Sequence, residues 1–196
     1  RFRAGLTSGA GRSRKHESAE KHVTGEAVYI DDRLEFPNQL HLVPRLSEVA
    51  HAEILRIDVA PCYAFPGVVR VFTAQDVPGD NDIAPLTVGD PLYADGKVEY
   101  LGQVVLVVAA DDPLTARRAA QAAIIEYREL PAIFDVKTAL QAGHLVEASH
   151  HHRRGNSAAA LAAAPRRIQG ELHIGGQEHF YLETQIASVM PGEDGS

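Results

Sequence analysis

The chain has 196 residues, of which 45% are hydrophobic and 23% are charged, so it has the composition of a soluble globular protein with enough apolar material for a core. Its formal net charge of -7 argues against nonspecific nucleic-acid binding, because that requires clustered Lys and Arg. The single cysteine, Cys62, excludes an internal disulfide and a cysteine-ligated iron–sulfur cluster within the chain. No apolar run approaches the roughly 20 residues that cross a bilayer. We therefore expect a cytoplasmic protein with no membrane or nucleic-acid partner.

The N-terminal segment, residues 1–21, is rich in Arg, Lys, Gly and Ser and has no interleaved aromatic residues. This composition predicts a flexible tail. Ordered character begins near Val23, where residues 24–30 lead into the acidic turn Asp31-Asp32.

Strand patterns follow at residues 39–46, 52–59, 67–73 and 103–109. The third segment is a β-branched run between turn residues, and the fourth is a continuous apolar run suited to a strand buried on both faces. Residues 76–96 are rich in Pro, Gly, Asp and Asn, which predicts a long loop of the kind that is often functional or interfacial.

The clearest helix signal begins at Asp111 or Asp112, either of which can cap a helix whose first residue is Pro113. We predict a helix from there to near Tyr127. The apolar residues at helical spacing are Ala116, Ala119, Ala120, Ala123, Ile124 and Tyr127.

A second helix is predicted from about Asp135 to Gln141, and a short alanine-rich helix after Asn156 or Ser157. From Arg166 the pattern predicts strands again, at residues 168–174 and 184–190. The order of elements predicts an α+β fold: one complete domain, a connection, and the opening strands of another domain.

The Gly175–Thr184 segment combines two glycines, an amide, two acids, an imidazole and two aromatic rings. Glycine lets the backbone approach a bound group closely, and the neutral amide of Gln177 can hold an oxo group or a pterin edge. The alternative is a strand that ends in a bulge or tight turn, with Gln177 in solvent. Spacing alone favours this alternative.

We predict structural roles for the residues that follow Gln177. Glu178 and His179 are adjacent, so in a strand they point to opposite faces and do not share a proton. Phe180, Tyr181 and Leu182 are predicted to be core residues.

The other residues that could bind a metal or react chemically are also predicted to have no functional role. His150, His151 and His152 are consecutive and flanked by arginines, which predicts a solvated linker and not a metal site. Cys62 lies beside a proline with no His or Lys next to it, which predicts a packing role.

Four segments then combine into one resemblance: residues 24–32, 67–78, 100–103 and 175–183. In this order they resemble the N-terminal part of the molybdenum-binding large subunit of the xanthine oxidase/aldehyde oxidase family, of the xanthine dehydrogenase type. The resemblance covers roughly Ala19 to Met190.

The resemblance implies a domain organisation. Residues 22–130 would form an α/β-hammerhead domain and residues 131–165 a connecting segment, after the tail of residues 1–21. Residues 166–196 would begin a molybdopterin-binding domain that is truncated at Ser196.

The resemblance also implies a function in purine catabolism: oxidation of xanthine or hypoxanthine with oxygen derived from water. Gln177 would lie beside the molybdenum of a molybdopterin cofactor and hydrogen-bond to one of its oxygen ligands. Electrons would pass to iron–sulfur clusters and FAD on a partner subunit or on other domains.

The family's catalytic residues would all lie beyond Ser196, so we expect no catalytic residue in these 196 residues, no stable cofactor binding and no turnover by this chain alone. Two alternatives stay open: part of an aldehyde or N-heterocycle oxidoreductase, and a non-catalytic scaffold that docks the redox subunit.

Overall fold

The computed structural model describes residues 11–85 and 88–192. The chain divides into two compact units. One unit comprises Arg1–Glu35 with Arg166–Ser196, and the other comprises Phe36–Pro165.

The larger unit is built on antiparallel strands. Within the described residues its strands are β1 (His41–Leu46), β2 (Ala52–Asp58), β3 (Val68–Phe72), β4 (Lys97–Val98), β5 (Val104–Ala110) and β6 (Ile124–Glu129). They form two three-stranded sheets, with the orders β1-β5-β3 and β4-β2-β6. The four strand predictions are confirmed, whereas β4 and β6 were not predicted.

Helices complete this mixed fold. In the described part of the chain the α-helices are α1 (Ala19–Thr24), α2 (Pro113–Ala122), α3 (Val136–Gln141) and α4 (Ser157–Ala163), and the 3-10 helices are Ile30–Asp32, Ala60–Ala64 and Ala74–Asp76. Helix α1 belongs to the smaller unit and the other three α-helices to the larger one. The α+β class predicted from the sequence is confirmed.

Two groups of buried residues form the core of the larger unit. The first lies between α2 and the β1-β5-β3 sheet and contains Cys62, Val71, Leu106, Val108, Ala119, Ala120 and Ala123. The second contains Ala52, Ala94, Val98 and Val105. Strand β5 contributes to both groups, because its alternate side chains point to opposite faces of the sheet. The prediction that β5 is buried on both faces is confirmed.

Helix α2 begins as the sequence predicts. The Asp112 side chain accepts hydrogen bonds from the backbone N–H groups of Leu114 (3.0 Å) and Thr115 (2.9 Å), and Pro113 is the first helical residue. The helix ends at Ala122, and not near Tyr127 as predicted.

The residues after α2 form β6, which pairs antiparallel with β2. Ala123 has an extended ψ of 134° and breaks the helix. The pairing is reinforced across the strands by the ion pair between Arg56 and Glu126 (3.2 Å) and by that between Arg128 and Glu53. Ladder pairing therefore overrides the helical spacing of the apolar residues.

The long predicted loop, residues 76–96, has no helix or strand over its described residues after Asp76, which ends the 3-10 helix Ala74–Asp76. Two polar side chains organise it. The amide of Asn81 donates to the carbonyl of Tyr93 (2.7 Å) and accepts from the Tyr93 N–H (2.9 Å). The carboxylate of Asp82 accepts from the N–H groups of Ala84 (2.8 Å) and Gly89 (2.6 Å). These bonds lower the pKa of Asp82, with the Ala84 bond as the largest cause.

Helices α3 and α4 follow the sequence predictions closely. Asp135 caps α3 by accepting from the Thr138 N–H (2.8 Å), and Asn156 caps α4 by accepting from the Ala159 N–H (3.0 Å). Neither helix contains a buried residue.

The smaller unit contains α1 and the 3-10 helix Ile30–Asp32. Helix α1 overlaps the last residues of the predicted tail, whose first ten residues lie outside the described part of the chain. Gly25 ends α1 at φ 80°, a left-handed conformation that favours glycine.

The strands predicted at residues 168–174 and 184–190 are not formed, and residues 166–192 carry no helix or strand. Their apolar side chains Ile168, Leu172 and Ile174 are exposed. A strand needs a partner whose backbone completes its hydrogen-bond ladder, and no described strand pairs with these residues.

No helix among the described residues has the length and apolar character needed to span a membrane.

Candidate functional site

The Gly175–Thr184 segment lies in the smaller unit and has an irregular backbone. Its side chains are exposed with the exception of Glu183, which is half-buried. The segment is therefore accessible along most of its length and is held at one end.

Gly175 and Gly176 leave open space beside the backbone. A Cβ atom built at either position would meet no atom within 4 Å, and neither residue has a left-handed φ. Folding of these 196 residues therefore does not require glycine at either position. What the two glycines provide is a backbone that another group can approach without meeting a side chain.

Gln177 follows these glycines and is exposed. Its amide offers two N–H donors and one carbonyl acceptor without a formal charge. An exposed neutral amide beside unobstructed backbone can bind an oxygen-rich group by hydrogen bonds.

The next residues are held by local contacts. The Glu178 carboxylate accepts from the N–H of Phe180 at 3.4 Å, and Phe180 has a left-handed φ of 51°, which is uncommon for a bulky residue. The side chains of Tyr181 and Gln185 are hydrogen-bonded to each other. The prediction that Phe180, Tyr181 and Leu182 are core residues is wrong, because all three are exposed and Phe180 is 93% exposed.

Glu183 makes the contact that the sequence did not predict. Its Oε1 accepts a hydrogen bond of 2.7 Å from the backbone N–H of Ile30, which lies 153 positions earlier in the chain. No periodicity or short motif could reveal a contact between residues so far apart. The only signal was that both residues lie in segments on which the family resemblance rests.

Ile30 is presented to Glu183 by a locally ordered segment, Thr24–Asp32. The N–H of Tyr29 donates to the Asp32 carboxylate (2.9 Å), and the Tyr29 hydroxyl is hydrogen-bonded to His22 Nδ1 (2.8 Å). Ile30 is the first residue of the 3-10 helix that follows.

The remaining candidates lie elsewhere. His150, His151 and His152 are exposed, and His150 Nε2 lies 3.7 Å from a carboxylate oxygen of Glu147. Among the described residues, no group of three or more His, Cys, Asp or Glu side chains could hold a metal ion. Cys62 is buried in the core of the larger unit, which confirms its packing role, and burial raises the pKa of its thiol.

Comparisons with known proteins define the class first. The family described as "Aldehyde oxidase and xanthine dehydrogenase, a/b hammerhead domain" matches residues 24–131, and the "Molybdopterin cofactor-binding domain" matches residues 140–196. The predicted fold class, a hammerhead domain followed by the start of a molybdopterin-binding domain, is thereby confirmed.

Individual relatives support the same assignment. The chain is 41% identical to Aldehyde oxidase 3 of Rattus norvegicus over 191 residues, which cover 96% of this chain and 14% of the relative. It is 40% identical to Xanthine dehydrogenase 1 of Arabidopsis thaliana over 189 residues, which cover 95% of this chain and 14% of the relative. The crystal structure of quinoline 2-oxidoreductase from Pseudomonas putida 86 matches 67% of this chain and 18% of its own, with a TM-score of 0.57 and 35% identity.

The chain belongs to the aldehyde oxidase and xanthine dehydrogenase family. It spans about one seventh of the length of the curated relatives named here. The identity to an aldehyde oxidase (41%) and the identity to a xanthine dehydrogenase (40%) are almost equal. The predicted membership in the family is therefore confirmed, but the two identities do not distinguish the xanthine dehydrogenase type from the aldehyde oxidase type.

Proposed function

We propose that this chain is part of a molybdenum hydroxylase and that its Gly175–Thr184 segment forms one edge of the molybdenum-cofactor site. The observation that supports this most directly is the exposed amide of Gln177 beside two open glycines, inside the region that matches a molybdopterin cofactor-binding domain.

The donor set of this segment fits such a cofactor. An oxygen-rich anionic group is held well by neutral N–H donors, because they satisfy its lone pairs without adding a carboxylate that would repel it. Gln177 would donate its side-chain amide to an oxygen ligand of the molybdenum, and the glycines would let the group approach the backbone. When bound, this cofactor supplies the redox chemistry by which oxygen from water is added to a carbon atom of the substrate.

The proposed substrates are xanthine and hypoxanthine, with iron–sulfur clusters and FAD on other domains or on a partner subunit as electron acceptors. The 40% identity to Xanthine dehydrogenase 1 supports this choice. The second candidate is an aldehyde substrate, which the 41% identity to Aldehyde oxidase 3 supports equally well. In either case we propose residues 22–130 as the hammerhead domain, 131–165 as the connection and 166–196 as the start of the cofactor domain.

Substrate preference can be measured on the whole protein that carries this sequence. Purified protein with a determined molybdenum content is assayed with xanthine, hypoxanthine and an aromatic aldehyde under identical conditions. A kcat/KM at least tenfold higher for the purines, about 1.4 kcal/mol of transition-state discrimination, supports the first candidate. The reverse order replaces it with the aldehyde candidate, and turnover of none of the three refutes the proposal.

The role of Gln177 can be measured in the same protein. Gln177→Ala removes a hydrogen bond to a charged group, so we expect kcat to fall by about tenfold or more while the melting temperature stays unchanged. Gln169→Ala is the matched control, because Gln169 is an exposed glutamine in the same unit. Equal kinetics for the two variants would remove Gln177 from the site.

A further inference from the structure

We infer that Glu183 is a positioning residue that holds the Gly175–Thr184 segment against the Thr24–Asp32 segment. The inference rests on the proposed function in one respect: it takes the Gln177 amide as the group whose position matters. The contact on which it depends is the 2.7 Å hydrogen bond from the Ile30 N–H to Glu183 Oε1.

The Ile30 N–H needs an acceptor from outside its own turn. The first N–H groups of a helix have no partner within the helix, and Ile30 opens the 3-10 helix Ile30–Asp32. The nearest capping carboxylate, that of Asp32, accepts instead from the N–H of Tyr29. Glu183 therefore satisfies a donor that the local capping contact does not.

The bond joins two segments that differ in how they are ordered. The Thr24–Asp32 segment has its own hydrogen bonds, through Tyr29 and Asp32. The segment around Gln177 has no helix or strand to fix it. The short, charge-assisted bond at Glu183 thus restrains the segment around Gln177 by attaching it to the ordered Thr24–Asp32 segment.

Glu183 is close enough in the chain to restrict Gln177. Six positions separate the two residues, so an extended backbone between them spans at most about 22 Å. Phe180, which lies in this interval, has a left-handed φ of 51°, and the side chain of Tyr181 is hydrogen-bonded to Gln185, just beyond Glu183. Glu183 is also the residue of the segment that is half-buried, whereas Gln177 stays accessible.

The test measures solvent exchange of the Ile30 amide by NMR in the 196-residue chain, which requires no cofactor. We expect Glu183→Ala to accelerate exchange by about tenfold or more, because it removes the acceptor of a charge-assisted hydrogen bond. Glu183→Gln keeps an acceptor oxygen at the same position and should give an intermediate rate. Glu178→Ala is the matched control: it removes a nearby exposed carboxylate whose own hydrogen bond is local, and it should leave the Ile30 rate unchanged.

Exchange of the Tyr29 amide, which donates to Asp32 in the smaller unit, shows that the Thr24–Asp32 segment of each variant is still ordered, and exchange of the buried Leu106 amide does the same for the larger unit. The inference is overturned if folded Glu183→Ala exchanges Ile30 at the wild-type rate, or if Glu178→Ala accelerates it equally.

A second readout connects the tether to the site. In the whole protein, Glu183→Ala should lower kcat, and Glu183→Gln should restore part of the loss at equal molybdenum content. Unchanged kcat in Glu183→Ala would overturn the positioning role. The failure of the proposed function is a different result: Gln177→Ala would then leave turnover unaffected while the Ile30 exchange still depended on Glu183.

Discussion

Replacing Ala120 by leucine tests how closely α2 approaches the sheet beneath it. Ala120 is 1% exposed and belongs to the buried group that includes Leu106 and Val108 of β5. Its neighbour Ala119 is buried in the same group, so two successive small residues set the distance between the helix and the strands.

Whether Ala120→Leu raises or lowers the free energy of unfolding depends on the room around this side chain. Leucine adds three carbon atoms, and burying them with room to spare would stabilise the fold by about 2 kcal/mol, at about 0.8 kcal/mol for each methylene. Protein interiors are close-packed, and forcing extra methylenes into them costs about 1–3 kcal/mol. Because Ala120 has sheet residues packed against it, we expect the second outcome: a free energy of unfolding lower by about 1–3 kcal/mol.

Urea unfolding followed by far-UV circular dichroism measures this change. Arg117→Leu is the control, since it places the same side chain on an exposed position of the same helix and should stay within about 0.5 kcal/mol of the wild type. If Ala120→Leu is as stable as Arg117→Leu, the helix face that we assign to the core is wrong.

Further variants test the core and the cap of α2. Leu106→Ala should lower the free energy of unfolding by about 2–5 kcal/mol, because it leaves a cavity at a fully buried position, whereas Leu114→Ala, at a side chain 52% exposed, should cost clearly less in the same urea titration. Hydrogen bonds from the Thr115 hydroxyl and then from backbone N–H groups lower the pKa of Asp112 below its usual 3.8. The stabilisation from this carboxylate is therefore present above pH 3.8 and is lost as the pH falls through the lower folded-state pKa. Asp112→Asn keeps a capping oxygen but does not titrate, so its unfolding free energy should change less between neutral pH and about pH 2 than that of the wild type. If the two proteins lose stability in parallel as the pH falls, the Asp112 carboxylate does not contribute the pH-dependent stabilisation.

The start of α2 could be predicted from the sequence and its end could not, for a physical reason. A helix start is encoded locally, by the capping side chain of Asp112 and by Pro113 at the first position. The residues that follow Ala122 fit helical spacing equally well, but they also fit a strand. They form a strand because they pair with the backbone and the charged side chains of β2. Strand β2 lies about 70 residues earlier in the chain, so the local sequence does not contain this information.

Strand β2 shows a related effect. Its sequence has no clean alternation of polar and apolar residues, and the structure explains this by a register shift between Ile54 and Arg56. Leu55 is the extra residue of a β-bulge, so the side chains before and after it change faces. A local pattern can show that alternation is interrupted, but the bulge is defined only by the partner strand.

The candidate site divides in the same way between local and distant information. Gln177 could be singled out because its neighbours in the chain, two glycines, make its amide approachable, and the structure leaves both glycines unobstructed. Glu183 could not be singled out, because its role is created by Ile30, on a segment 153 residues away. A residue that would contact a cofactor is thus visible in a short motif, whereas a residue that positions it becomes visible only when the chain is folded. Changes at Glu183 should therefore alter exchange at Ile30 before any cofactor is bound, while changes at Gln177 should have consequences only when the cofactor is present.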